Sequence, residues 1–171
     1  MIFTIRRYQA DDSAAIVAIY NHAILHHNAT FEEQPLSAEQ MAQRLDEIAA
    51  QFPVLVALAG DELIGYAYGN HYKTRSAYRF CAESSVYLDP AHQGRGQGSA
   101  LYRALLDALA QQGIRQVLAV ITSPNPVSET LHQRLGFERR GVLEAVGYKF
   151  ERWHDVALWQ KTLDQRPSKP N

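Results

Sequence analysis

The sequence predicts a single domain of mixed α/β structure. The chain has 171 residues, enough for one hydrophobic core without disulfides or metals, and 46% of them are hydrophobic. Segments in which apolar residues alternate are interspersed with segments in which they recur at helical spacing. In chain order these segments predict β-α-α-β-β-β-α-β-α-β-β, packed as the layers of one domain. We expect residues 1–163 to form this domain and residues 164–171 to be a disordered tail.

The first predicted elements are a strand and two helices. Residues from Ile2 to Arg7 alternate as in a short strand. The run from Asp11 to Ser13 offers N-cap oxygens, and apolar residues then recur at helical spacing. Ser37 and Gln40 have the spacing of a capping box, which predicts a second helix extending through Ala50.

Three strands are predicted next. Residues from Pro53 to Ala59 form a nearly unbroken apolar run, and Gly60-Asp61 is a turn that leads into a returning strand from Leu63 to Gly69. After a polar, basic stretch, residues from Phe80 to Leu88 predict another strand, which ends at Asp89-Pro90.

A strand-helix-strand crossover and a final pair of strands complete the predicted domain. Leucines on one face predict a helix from Leu101 to Leu109 that ends before Gly113. An apolar strand from Val117 to Thr122 follows. A short helix then begins at Asn125-Pro126 and ends at Gly136. The last two strands are predicted around Val142–Val146 and Trp153–Leu163.

The charge balance and the cysteine content exclude several classes of protein. The formal net charge of −1 provides no long-range attraction for nucleic acid or an anionic membrane, so an anionic ligand needs a local site. Cys81 is the single cysteine, which excludes an intrachain disulfide and a cysteine-rich zinc site. The sequence contains no uncharged apolar run of about 18 residues. We therefore expect a cytoplasmic protein that binds neither nucleic acid nor membrane.

The run from Gln93 to Gly98 predicts an anion-binding turn, because it lies between a strand and an amphipathic helix. In that position successive backbone N–H groups and the helix dipole converge on one anion. The third glycine comes one position too early for a dinucleotide-binding G-x-G-x-x-G turn, and the Gly-Lys-Ser/Thr of a P-loop is absent. The turn therefore indicates a phosphate ligand of another class.

These residues resemble the GNAT acetyltransferase superfamily. Gln93, Gly96 and Gly98 match its motif Gln/Arg-x-x-Gly-x-Gly/Ala after a strand. Segments 83–88, 131–137 and 147–155 are similar to the phosphinothricin acetyltransferase branch. The resemblance implies a mostly antiparallel sheet with a V-shaped splay between the fourth and fifth strands, about four flanking helices, and a homodimer built with the terminal β-hairpin.

The cosubstrate implied by the resemblance is acetyl-CoA, without a metal. Its pantetheine would pair with the edge of the fourth strand as an added strand, and its pyrophosphate would bind the glycine turn. The implied contact residues are Val86, Tyr87, Leu88, Gln93, Gly94, Arg95, Gly96, Gln97, Gly98, Ser99, Asn125 and Arg134.

Glu83 and His132 are the candidate catalytic residues. An amine attacks a thioester only as the free base, and burial of Glu83 in a small and apolar segment would raise its pKa toward that of a useful base. We expect it to act directly or through a water. The alternative is a solvent-facing glutamate or one paired with Arg79. By the resemblance, His132 lies near the reaction centre and shares proton transfer; the alternative is a histidine on the helix surface.

The resemblance also implies an acceptor site formed by Phe31, Lys73, Thr74, Arg75, Tyr78, Glu83, Ser84 and Ser85. A guanidinium can bind a carboxylate or phosphinate with two hydrogen bonds. The expected acceptor is a small glutamate-like toxic amino acid: phosphinothricin, methionine sulfoximine or sulfone, or arsinothricin. The implied role is detoxification. The alternatives are a solvated basic loop and a Phe31 ring that belongs to the core.

Three other functions stay open from the sequence. A GNAT enzyme could act on a polyamine, an aminoglycoside or a protein N-terminus, although such cations favour an acidic cleft. A silent acetyl-CoA sensor would use the fold for binding alone. His22, His26 and His27 have spacing that could chelate zinc, but no acidic ligand accompanies them.

Overall fold

Seven strands and four α-helices form in the predicted order within residues 3–163, the part of the chain that the computed structural model describes. The strands are β1 (Phe3–Arg7), β2 (Val54–Ala59), β3 (Glu62–His71), β4 (Cys81–Leu88), β5 (Gln116–Ser123), β6 (Glu138–Lys149) and β7 (Arg152–Thr162). The helices are α1 (Ser13–His26), α2 (Ala38–Ala49), α3 (Gln97–Gln111) and α4 (Pro126–Arg134).

One sheet contains all seven strands in the order β1-β2-β3-β4-β5-β7-β6. Neighbouring strands are antiparallel except for β4 and β5, whose parallel register joins residues 81–83 to residues 116–118. Beyond this short register the two strands separate. The sheet is therefore mostly antiparallel and opens as a V between β4 and β5, as predicted.

The helices cover both faces of the sheet. Ser84 on β4 is hydrogen-bonded to Tyr102 of α3, whereas the ring of Tyr87, three positions along the strand, packs edge-on against Tyr20 of α1. Because successive side chains of a strand point to opposite faces, α3 lies on one face of β4 and α1 on the other. Ile16 of α1 and Leu105 of α3 are fully buried, and each such side chain contributes about 1.5–3 kcal/mol of hydrophobic stabilisation.

Two local features differ from the sequence prediction. Asp12 does not cap α1 with its side chain; its carboxylate instead binds the guanidinium of Arg6 at 2.7 Å and the backbone N–H of Gln9. The strand predicted around residues 142–146 extends from Glu138 to Lys149, because two β-bulges interrupt its alternation without ending its pairing.

Two further findings concern the length of the helices and the C-terminal residues. Among residues 3–163, no helix has the length and apolar character needed to cross a bilayer. The tail predicted over 164–171 lies outside the described residues.

Candidate active site

A cleft that is partly open to solvent lies in the V between β4 and β5. Within the described chain the pairing of these strands ends at Glu83 and Leu118. Beyond that point, backbone N–H and C=O groups on the facing edges can pair with an extended ligand. Residues that line the cleft are Ala29, Ser84, Ser85, Val86, Tyr87, Tyr102, Ala119, Val120, Ile121, Thr122, Asn125, Ser128, Leu131 and His132.

The glycine turn begins α3 in a way that leaves its first amides available. Gly96 is the N-cap residue, with a left-handed φ of 81°, and no side chain among residues 3–163 caps this helix. The backbone N–H of Ala100 donates to the carbonyl of Gly96 at 3.1 Å. The preceding first-turn N–H groups are therefore free to bind an anion at the positive end of a 15-residue helix.

Replacing Gly96 with valine should weaken binding at this turn. A β-branched residue is strained at a φ of 81°, so the turn must rearrange and the first amides of α3 lose their common direction. We expect the affinity for acetyl-CoA, the cosubstrate implied by the resemblance, to fall at least about tenfold, because each lost charge-assisted hydrogen bond is worth roughly 1.5–3 kcal/mol. Isothermal calorimetry with acetyl-CoA checks this; an unchanged affinity would exclude the turn from the binding site.

Glu83 lies at the vertex of the V, in the last residue pair that joins β4 to β5. Its side chain shares a face with Tyr87, two pleats along, and so lies on the α1 face of the sheet. Burial raises its pKa, as expected for a candidate base. The alternative pairing with Arg79 is not observed, since that guanidinium stacks on Phe80 and donates to the carbonyl of Ser76.

His132 is buried, and both of its ring nitrogens have partners. Nδ1 lies 2.7 Å from the backbone carbonyl of Ser128, which can only accept, so Nδ1 carries the proton. Nε2 is then an acceptor, 3.1 Å from the hydroxyl of Tyr102, which in turn lies 2.6 Å from Oγ of Ser84. Burial lowers the pKa of His132, although the Ser128 carbonyl raises it in part, and the ring stays neutral. His132 is therefore not on the helix surface.

Tyr102 is one of the cleft-lining residues that the sequence reasoning did not include. Its position on α3 has helical apolar spacing, which predicts a core residue, and its side chain is indeed only 1% exposed. Its hydroxyl nevertheless links Ser84 to His132 and borders the cleft. No local signal identifies such a link, because it depends on how α3 packs on β4.

The other predicted cosubstrate residues occupy different environments. Asn125 borders the cleft, and its side-chain oxygen caps α4 by accepting from the N–H of Ser128. Arg134 is exposed in the last turn of α4. Residues 93–96 are exposed and residues 97–99 are half-buried at the start of α3.

Basic and aromatic residues predicted to bind the acceptor lie in the loop between β3 and β4. Lys73, Thr74 and Arg75 are exposed. The ammonium of Lys73 lies 5.4 Å from the ring centre of Tyr72, which packs edge-on against Tyr78. The Tyr72 ring therefore contacts the ammonium group of Lys73. The side chain of Arg75 is exposed, so a ligand can reach it.

Phe31 and the two serines complete the predicted acceptor set. Phe31 is 37% exposed, so it is not the core residue considered as an alternative, and its ring packs on the backbone of Gly147 in β6. Ser84 faces α3 through its contact with Tyr102, and Ser85 borders the cleft. His22 lies 4.7 Å from His26 and 5.3 Å from His27 between ring centres, and residues 3–163 contain no group of three metal-ligating side chains.

Comparisons with known proteins assign this chain to a family. Residues 5–158 match the family described as "Acetyltransferase (GNAT) domain". The chain belongs to the GNAT acetyltransferase family. A phosphinothricin N-acetyltransferase of Streptomyces viridochromogenes is 39% identical over 97% of this chain and 93% of that protein. An L-methionine sulfoximine/L-methionine sulfone acetyltransferase of Salmonella typhimurium is 36% identical over 95% of each chain.

A solved GNAT structure shows which cosubstrate this fold binds. The phosphinothricin acetyltransferase from Sinorhizobium meliloti, determined in complex with acetyl-CoA, has a TM-score of 0.96, is 40% identical, and aligns with 100% of this chain and 94% of that chain. This GNAT domain is accordingly an acetyl-CoA-dependent N-acetyltransferase. The free amides of the glycine turn and the open strand edges of the V fit a long ligand with phosphate groups.

Proposed function

We propose that this enzyme acetylates the α-amino group of a small, glutamate-like amino acid whose side chain ends in an acidic or tetrahedral polar group. The observation that carries the proposal is the position of Glu83, a half-buried carboxylate at the vertex of the V. Glu83 lies on β4, directly after the loop that bears Lys73 and Arg75. The names of the relatives support the acceptor class: phosphinothricin for one, and methionine sulfoximine or sulfone for another.

The proposed roles divide between the two faces of β4. The incoming ammonium group gives a proton to Glu83, directly or through a water, and the free amine forms a C–N bond to the acetyl carbon. A backbone N–H near Leu88 stabilises the oxyanion. The nitrogen of the tetrahedral intermediate loses its second proton as the C–S bond breaks, and the departing CoA thiolate receives a proton, which gives the amide and the free thiol. Ser84, Tyr102 and neutral His132 form a hydrogen-bonded chain on the α3 face that can move this proton.

The biological setting belongs to the same proposal. Acetylation removes the free amine by which a glutamate analogue resembles its parent, so the enzyme would confer resistance to such a herbicide or antibiotic. We place it in the cytoplasm, where acetyl-CoA is made and used. We propose a homodimer, since the β6–β7 hairpin exposes the large apolar side chains Val146, Tyr148 and Trp153.

A thiol-release assay tests the acceptor class. Acetyl-CoA is combined with phosphinothricin, methionine sulfoximine, methionine sulfone, arsinothricin, spermidine or an aminoglycoside. We expect release with the acidic amino acids. Preference for spermidine or the aminoglycoside would overturn the acceptor class, and no release with any amine would indicate a sensor.

Arg75→Ala sharpens this test. The guanidinium is expected to bind the acidic end of the acceptor, so kcat/KM should fall about tenfold to 150-fold for those amino acids, the scale of a charge-assisted hydrogen bond. The Arg103→Ala variant, which removes an exposed arginine on α3, is the matched control. Equal losses in the two variants would contradict a role of Arg75 in recognition.

A further inference from the structure

Lys149 is a buried charged residue that the proposed reaction does not use. It is the last residue of β6 and is only 2% exposed. Burial lowers the pKa of its ammonium group, while the nearby carboxylates of Glu33 and Glu32 raise it in part. A charged group is retained inside a fold where hydrogen bonds replace the water that it loses. The hydrogen-bond partners of Lys149 therefore indicate which part of the structure it stabilises.

Both hydrogen bonds of the ammonium group lead to residues 27–31, which follow α1 and are called here the wall segment. Nζ of Lys149 donates to the carbonyl oxygens of His27 at 2.9 Å and Thr30 at 2.8 Å. Between these two, the carbonyl of Asn28 accepts a hydrogen bond from the hydroxyl of Thr122 on β5. Ala29 borders the cleft. One side chain thus holds both ends of a segment whose middle forms part of the cleft wall.

The wall segment ends at Phe31, whose ring is fixed against the β6–β7 hairpin. A Cβ atom on Gly147 would lie 2.2 Å from this ring, so the ring fills the space that a side chain would need. The ring of His154 lies 5.9 Å from that of Phe31, and its Nε2 donates to the backbone carbonyl of Lys149. Lys149 therefore holds the wall segment with its side chain and the packing partner of Phe31 with its backbone.

The wall segment lies on the face of the sheet that carries Glu83. The hydroxyl groups of Thr30 and Tyr20 are 3.0 Å apart, and Tyr20 packs on Tyr87, which shares its face of β4 with Glu83. The chain from Ser84 to His132 lies on the opposite face. A displaced wall segment would therefore disturb the candidate base side of the cleft and leave the glycine turn of α3 in place.

We propose that Lys149 is a positioning residue that sets the affinity for the acceptor amino acid by fixing the wall segment and Phe31. This inference rests on the proposed function, because it assigns the acceptor to the Glu83 face. It predicts an effect on acceptor binding that is separate from acetyl-CoA binding. Small displacements of positioning elements are costly in enzymes, with about 1 Å sufficient for losses of up to 100-fold.

Kinetics of Lys149→Met test the proposal, with Lys161→Met on β7 as the matched control. In the Lys149→Met enzyme we expect the acceptor KM to rise about tenfold, while kcat and KM for acetyl-CoA change by less than about twofold. Lys149→Arg should recover part of the loss because it keeps donors at this position. Gly147→Ala, which displaces the Phe31 ring, should raise the acceptor KM as well, and combining it with Lys149→Met should add little.

Amide hydrogen exchange provides a readout that does not require activity. In Lys149→Met, exchange at residues 27–31 should accelerate while exchange in α3 stays unchanged. An unchanged acceptor KM, an equal rise in both KM values, or unaltered exchange at residues 27–31 would overturn the proposal. If the wild-type enzyme releases no thiol with any acidic amino acid, the proposed acceptor class fails, and the exchange measurement still decides whether Lys149 holds the wall segment.

Discussion

Glu83→Gln is expected to lower kcat by about two to four orders of magnitude at neutral pH, the usual contribution of a general base. Glutamine keeps the size of the side chain but cannot accept the proton of the incoming ammonium group. The substitution also relieves the cost of burying a carboxylate, so the fold should not lose stability. Stopped-flow or steady-state thiol release measures the effect, with the exposed Glu62→Gln on β3 as the matched control. A turnover near that of the wild type would remove Glu83 from the mechanism.

The pH dependence of the same variant identifies the titrating group. Burial raises the pKa of Glu83, so the base is lost by protonation at a higher pH than for an exposed glutamate. Activity of the wild-type enzyme should therefore fall as the pH drops through this raised pKa. Burial lowers the pKa of His132, so this ring also gains a proton only as the pH falls. The acidic limb of kcat/KM should disappear in Glu83→Gln if it belongs to Glu83, and persist if it belongs to His132.

Tyr102→Phe is expected to lower kcat about a hundredfold, at the lower end of what acid–base groups contribute. The phenyl ring keeps its contact with Phe137, whereas the loss of the hydroxyl leaves Nε2 of His132 and Oγ of Ser84 without their shared partner. Tyr66→Phe is the matched control, since Tyr66 is equally buried within the core. Comparable losses of activity in the two variants would indicate a general packing effect and contradict the proposed chain.

A shifted pH profile separates positioning by Tyr102 from mere packing. Its hydroxyl donates to Nε2 and so stabilises the neutral imidazole. Without that donor the pKa of His132 rises, a larger fraction of the ring is protonated at a given pH, and an acidic limb that depends on His132 moves to higher pH. NMR titration of the His132 ring resonances in Tyr102→Phe measures this directly, and an unmoved pKa would rule out the assigned hydrogen-bond direction.

The local features of the site could be predicted from sequence. The strand, the glycine turn and the helix that follow one another from Val86 to Leu109 each depend on a few neighbouring residues, and all three form as expected. The order of the elements was predictable for the same reason. The splay was expected from the resemblance to GNAT enzymes, because no local pattern states how long two parallel strands stay paired.

Contacts between distant elements could not be predicted. Tyr102 has the spacing of a core residue and reveals its link to His132 only when α3 packs on β4. Lys149 has the appearance of a surface lysine near a turn, yet it is buried because the wall segment folds across the hairpin. Asp12 was predicted as a candidate N-cap of α1, but its carboxylate binds Arg6 instead, because a guanidinium can donate to both carboxylate oxygens. The outcomes for Tyr102 and Lys149 depend on long-range packing, whereas that for Asp12 depends on a contact only six residues away along the chain.

The V between β4 and β5 also affects how the sheet avoids aggregation. Strand edges with free backbone groups are sites at which another molecule can add a strand, but here two such edges face each other within the sheet. The outer edge strand β6 is irregular, with two bulges and a positive φ at Ala145. The enzyme thus keeps two hydrogen-bonding edges inside its own sheet, and the bulges make one of its two outer edges, β6, a poorer partner for intermolecular pairing.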